Sequence, residues 1–123
     1  MKVTEQSKNG QKVIIIEADT VLIKDSQSAL DLLLSLAYEY QTNKIILLKS
    51  VITEDFFELR TKIAGDILQK CTNYHIELAV AGDYSSYTSK ALKDFIYESN
   101  QSGVCFFVDT TEKGLDLLTK RGS

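Results

Sequence analysis

The chain has 123 residues, 44% hydrophobic and 25% charged, with a formal net charge of −3; these values describe one globular domain that closes a core without a metal or disulfide staple. The acidic balance speaks against a nucleic-acid duplex as partner, which needs a basic surface. No apolar run approaches the ~20 residues that span a bilayer, and Met1-Lys2-Val3-Thr4-Glu5 does not open a secretory leader, so no membrane contact and a cytoplasmic location are expected.

In chain order, Val3 to Lys8 and Lys12 to Glu17 flank Asn9-Gly10, the strongest short hairpin signal, because a type I′ turn needs positive φ at both central residues. Val13-Ile14-Ile15-Ile16 reads as a strand buried on both faces, and Val21-Leu22-Ile23 as a short extension of the sheet. A helix follows from about Ser26 to Gln41, then a strand at Lys44 to Leu48. A second helix is predicted from Thr53 to about Cys71, with Thr53 as N-cap and Glu54 and Asp55 complementing the helix dipole. Ile76 to Ala81 is the next strand, and Ser86 to Asn100 the third helix. Val104 to Val108 is the last strand. Asp109 with Glu112 resembles a capping box opening a final helix to about Lys120. Arg121-Gly122-Ser123 reads as either native sequence or an expression scar. The order ββαβαβαβα implies an α/β fold whose mixed sheet opens with a hairpin and is otherwise parallel. No glycine-rich nucleotide fingerprint stands at any strand-to-helix turn.

Cys71 and Cys105 lie in apolar surroundings without CxxC spacing, so buried reduced thiols are expected. His75 alone does not complete a zinc set with them. No cofactor and no metal is expected.

Three features carry functional candidates. On a continuous helix, Arg60 falls inside the arc of Phe56, Leu59, Ile63, Ala64 and Ile67. It either snorkels, pairs with a group such as Asp83, or enters a cavity at the strand ends and binds an acidic group. The first helix is apolar almost all round, which calls for a second contact. That contact is a neighbouring helix, or a homodimer or partner interface with Leu32, Leu34 and Tyr38 as candidates. The stretch Gly82-Asp83-Tyr84-Ser85-Ser86-Tyr87-Thr88-Ser89-Lys90 follows a buried strand and enters a helix. Such a junction either caps the helix, with Ser86 or Thr88 accepting from the next turn's amides, or holds a small anionic ligand, with Asp83, Ser85, Ser86 and Ser89 as candidates beside Arg60. Phasing turns Lys90 outward and Thr88 toward the core. No nucleophile has a base in evident reach, so no catalytic residue is assigned.

The blocks Thr53 to Thr61, Ala64 to Lys70, Asn73-Tyr74, Gly82-Asp83 and Tyr87 to Glu98 resemble the bacterial domain-of-unknown-function family 4180. The resemblance covers nearly the whole chain and implies a bacterial origin, with no established activity. The element order is also similar to the STAS domains of anti-sigma-factor antagonists, which carry a phosphorylatable serine in the loop entering the second helix. Lys49-Ser50-Val51-Ile52-Thr53 stands there without the Asp-Ser-Ser-Gly pattern. A phosphate on Ser50 or Thr53 would meet a helix N-terminus and the repelling carboxylates of Glu54 and Asp55. The expected function is a regulatory or protein-interaction module with a STAS-like fold. The alternative is a small-anion or metabolite-binding protein, or an enzyme, with a pocket at the strand carboxyl ends.

Overall fold

The computed structural model describes residues 1–120, and the tail reading of Arg121 to Ser123 lies outside them. The opening hairpin forms as expected. β1 (Lys2–Lys8) pairs antiparallel with β2 (Gln11–Glu17), and Asn9 and Gly10 turn the chain at φ 54 and 74. β3 (Lys44–Leu48), β4 (Glu77–Ala81) and β5 (Cys105–Val108) then add in parallel, giving one sheet of order β1-β2-β3-β4-β5. Each parallel crossover steps one strand in the same direction. Right-handed connection therefore places α1 (Ser26–Tyr40), α2 (Ile63–Asn73) and α3 (Lys90–Ser102) on one face. Among the described residues, α4 (Thr111–Leu118) alone is left for the other.

The strand residues alternate accordingly. Ile14, Ile16, Ile45, Leu47, Leu78, Val80, Cys105 and Phe107 face the three-helix side, where Leu33, Leu36, Ile67 and Leu92 meet them. Val13, Ile46, Ala79 and Val108 face α4 and Leu118. Two-sided burial is what makes these strands read as continuous apolar runs. The last strand is an open edge that the protein covers with a side chain. Asn100 accepts from the Phe107 amide at 2.7 Å and donates to the Phe107 carbonyl at 3.3 Å, imitating a sixth strand at one residue.

Five expectations are corrected. Residues 22 and 23 do pair, Ile23 bridging Ile52, but outside the five-stranded sheet. No helix runs from Thr53. Residues 54–57 and 59–61 form two 3-10 turns, and Lys62 at φ 67 resets the backbone before α2 starts. Tight turns let the adjacent rings of Phe56 and Phe57 both enter the core, which a regular α-helix at 100° per residue opposes. The Thr61 hydroxyl closes the segment by donating to the carbonyls of Asp55 and Glu58, both at 2.8 Å. The third helix begins at Lys90, not Ser86, and Ser89, not Ser86 or Thr88, is its cap, accepting from the Leu92 amide at 3.2 Å. Thr88 is exposed rather than turned to the core. The final helix is capped by Thr110, which accepts from the Lys113 amide at 3.1 Å, while Asp109 pairs with Lys113 at 3.0 Å.

Candidate functional site

The carboxyl ends of β3 and β4 stop in register, Leu48 opposite Ala81, which sets Lys49 beside Gly82. The stem of Lys49 lies across that glycine. Its ammonium reaches Glu54 Oε1 at 2.8 Å and stands 5.0 Å and 4.9 Å from the ring centres of Phe57 and Tyr87. Those rings stack at 5.1 Å with 24° between their planes. The Tyr87 hydroxyl donates to Glu54 Oε2 at 2.7 Å, so both carboxylate oxygens are engaged. Behind this clasp the Tyr84 hydroxyl donates to the Val80 carbonyl at 2.7 Å, and its ring packs on Phe57 and Phe107.

The charge states of the clasp are fixed at neutral pH. The hydrogen bonds from Lys49 and then Tyr87 hold the Glu54 carboxyl below its ordinary range. Burial works against the Lys49 charge, but the Glu54 and Tyr87 hydrogen bonds outweigh it and raise the ammonium pKa. The Tyr87 phenol is raised, first by burial. Every shift moves away from neutrality, opposite to the tuning of a general acid or base.

In front of the clasp lies a cleft of about 520 Å³ between residues 54–61 and 86–92. Arg60, Ser86 and Ser89, three of the residues singled out by sequence, share its lining, together with Asp55, Glu58 and Thr61. The route is not the expected one. Arg60 sits on a 3-10 turn rather than inside a helical arc, its side chain is 86% exposed, and its ion-pair partner is Glu58 at 3.8 Å, not Asp83. Asp83 and Ser85 lie outside the lining and turn on each other: the Ser85 amide donates to Asp83 at 2.9 Å, and hydrogen bonds from Ser85 keep the Asp83 carboxyl below its ordinary range. Lys90 points outward and pairs with Asp94 at 2.8 Å.

The phosphate candidates separate. Ser50 is exposed in a short turn and lines a different concavity of about 530 Å³ with Lys2, Glu17 and Asp19. Thr53 is engaged locally, accepting from the Asp55 amide at 3.3 Å. On α1, Leu32 and Leu34 are half-buried against the three-helix core, and α2 supplies much of the second contact that the apolar helix demanded. Tyr38 stays 81% exposed. Both thiols are buried, and burial pushes Cys71 up to about 11.

Lys49, Glu54, Phe57 and Tyr87 were not singled out by sequence reasoning. A readable signal did exist. Lys49 directly follows the apolar run Ile45 to Leu48, and Gly82 directly follows the run Leu78 to Ala81, so parallel register alone sets a long cation against a residue without a side chain. Among the described residues, no three His, Cys, Asp or Glu side chains are grouped to hold a metal ion, and no helix is long and apolar enough to cross a membrane.

This is an α/β protein built on a mixed five-stranded sheet, with a polar cleft at the carboxyl edge of its parallel strands. The chain matches the family described as "Domain of unknown function (DUF4180)" over residues 8–118, and it belongs to that family. No curated protein and no solved structure matches it.

Proposed function

We propose that the protein is a recognition module of the bacterial cytoplasm, in which the cleft between residues 54–61 and 86–92 receives a polar segment of a partner protein. One observation carries this reading: an open, charge-lined cleft is backed by a clasp whose ionisable groups are all held away from neutral pKa values. Such a wall supports positioning and contact rather than proton transfer. The partner's charge follows from the lining. With Glu54 engaged by Lys49, Asp55 and Glu58 oppose a single guanidinium, and Arg60 already pairs with Glu58. A basic or hydroxyl-bearing segment suits that balance. The STAS-like character of the fold belongs to this proposal, supported by the hairpin followed by three parallel strand–helix units. Self-association through α1 also belongs to it, now centred on Tyr38 because Leu32 and Leu34 are half-buried.

The test is capture of partners from cells by the tagged protein, comparing wild type with Asp55→Lys/Glu58→Lys and with Tyr38→Asp. Specific partners lost on reversing the cleft charge support the cleft. An unchanged set of partners for both variants overturns the reading. A second reading, a small anionic ligand on Arg60, Ser86 and Ser89, is favoured by their shared lining. It expects phosphate or a carboxylate metabolite to raise the melting temperature of the wild type but not of Arg60→Ala.

A further inference from the structure

The best-built polar feature of this protein is the nest around the Lys49 ammonium. Two aromatic faces at 5.0 Å and 4.9 Å and a carboxylate at 2.8 Å surround it, and its side chain is only 19% exposed. Aromatic rings attract a cation within about 6 Å of their centres, and a largely covered ammonium beside a stacked pair of them is held beyond a surface ion pair. Two rings within cation–π reach, an acid at the rim and an opening toward solvent are the groups that hold an alkylammonium ion. The opening here is the cleft, because Glu54, Phe57 and Tyr87 all line it. The Tyr87 hydroxyl bonded to Glu54 fixes the rim at 2.7 Å. Gly82 leaves the channel along which the Lys49 stem arrives.

We propose that Phe57, Tyr87 and Glu54 form an alkylammonium-binding cage, and that in this chain its occupant is the protein's own Lys49. The occupant ties the end of β3 and the 54–57 turn that soon follows it to the 84–87 loop, which is remote in sequence. Filling the cage from within fixes the back wall of the cleft. It also leaves Asp55, Glu58, Arg60, Ser86 and Ser89 among the cleft groups that face outward. The proposal stands apart from the recognition reading, since no partner enters its readouts.

Truncation to alanine removes a propylammonium group, so n-propylammonium is the matching probe. Lys49→Ala is expected to melt ~4–10 °C below wild type. Addition of n-propylammonium chloride should recover part of that loss, and 1-propanol or an equal ionic strength of sodium chloride should not. Wild type should gain nothing from the amine, and Lys49→Ala/Glu54→Gln should lose the recovery. Equal response to amine and alcohol, or no recovery in a folded Lys49→Ala protein, overturns the cage. Should Lys49→Ala not fold, two other measurements decide. Lys49→Met, which keeps a stem without the charge, must melt below wild type. In the unsubstituted chain, the ε-methylene protons of Lys49 must resonate upfield of the other lysines because two ring currents shield them. A wild-type melting temperature for Lys49→Met, or an ordinary ε-methylene shift, would overturn the proposal as well.

Discussion

A Cβ placed on Gly82 would stand 2.5 Å from Cβ of Lys49 and 2.9 Å from its Cδ. The two strand ends therefore approach as closely as they do only because one of them carries no side chain. Gly82→Ala should destabilise the protein by about 1–3 kcal/mol through overpacking. Combining it with Lys49→Ala should not relieve the cost, since alanine keeps the clashing Cβ. Urea unfolding of the two single variants and the double variant checks both statements.

The hydroxyl and the ring of Tyr87 make separable contributions. Tyr87→Phe keeps the stack on Phe57 and removes one hydrogen bond to a carboxylate, which should cost about 1–2 kcal/mol. Tyr87→Ala removes the ring contacts with Phe57 and Lys49 as well and should cost more. The Lys49–Glu54 pair contributes less than its distance suggests, because the Glu54 side chain is 70% exposed and water screens it. Thermal denaturation of the two variants checks this: equal losses would show that the ring contributes nothing beyond the hydroxyl.

The pH dependence follows from the sign of each shift. Glu54 has its pKa depressed by folding, so its contribution is present above the ordinary glutamate value of about 4.3 and is lost as pH falls through the folded value. Lys49 has its pKa raised, so its contribution is complete below the ordinary lysine value of about 10.4 and is lost as pH rises through the folded value. Stability from the clasp should be flat between about pH 5 and 10 and fall on both sides. Glu54→Gln should flatten the acid limb in a melting-temperature series; an unchanged limb would assign it to other carboxylates.

Asn100 and Arg60 make a contrast between an engaged and a solvated polar side chain. Asn100→Ala leaves the Phe107 amide and carbonyl at a sheet edge without their partner, and should cost about 1–3 kcal/mol. Arg60→Ala should change stability by less than about 0.5 kcal/mol, because an exposed pair at 3.8 Å contributes little. Denaturant midpoints for the two variants suffice.

Cys71 and Cys105 should be inert in the folded protein. Both are buried, and a Cys71 thiol near 11 leaves only about one thiolate in ten thousand at pH 7. A chromogenic disulfide reagent should label neither thiol in native buffer and both in denaturant. Fast native labelling would mean that α2 opens locally.

The architecture was legible because alternating apolar runs and amphipathic segments leave little freedom: strands buried on both faces need helices on both sides, and Asn9-Gly10 permits one kind of turn. Lys44 to Leu48 reads as a strand from either end for the same reason. The helix boundaries around the cleft were not legible. Helical phasing of Arg60 presumes an unbroken helix, and Lys62 breaks the phase by adopting φ 67, which no local preference of lysine announces. Likewise the choice of Ser89 over Ser86 and Thr88 as cap depends on where Tyr84 and Tyr87 are anchored, and those anchors, Val80 and Glu54, belong to other segments.

The amino-acid sequence by itself thus determined the α/β order, the parallel sheet behind its hairpin, the buried thiols and the family. These rest on local periodicity and on residue types that act within a few positions of themselves. The clasp of Lys49, Glu54, Phe57 and Tyr87, the exposure of Arg60 and the outline of the cleft were decided only by tertiary structure. The clasp joins groups up to 38 residues apart, from Lys49 to Tyr87. Only the register of β3 against β4 brings such groups within hydrogen-bond and ring-contact distance.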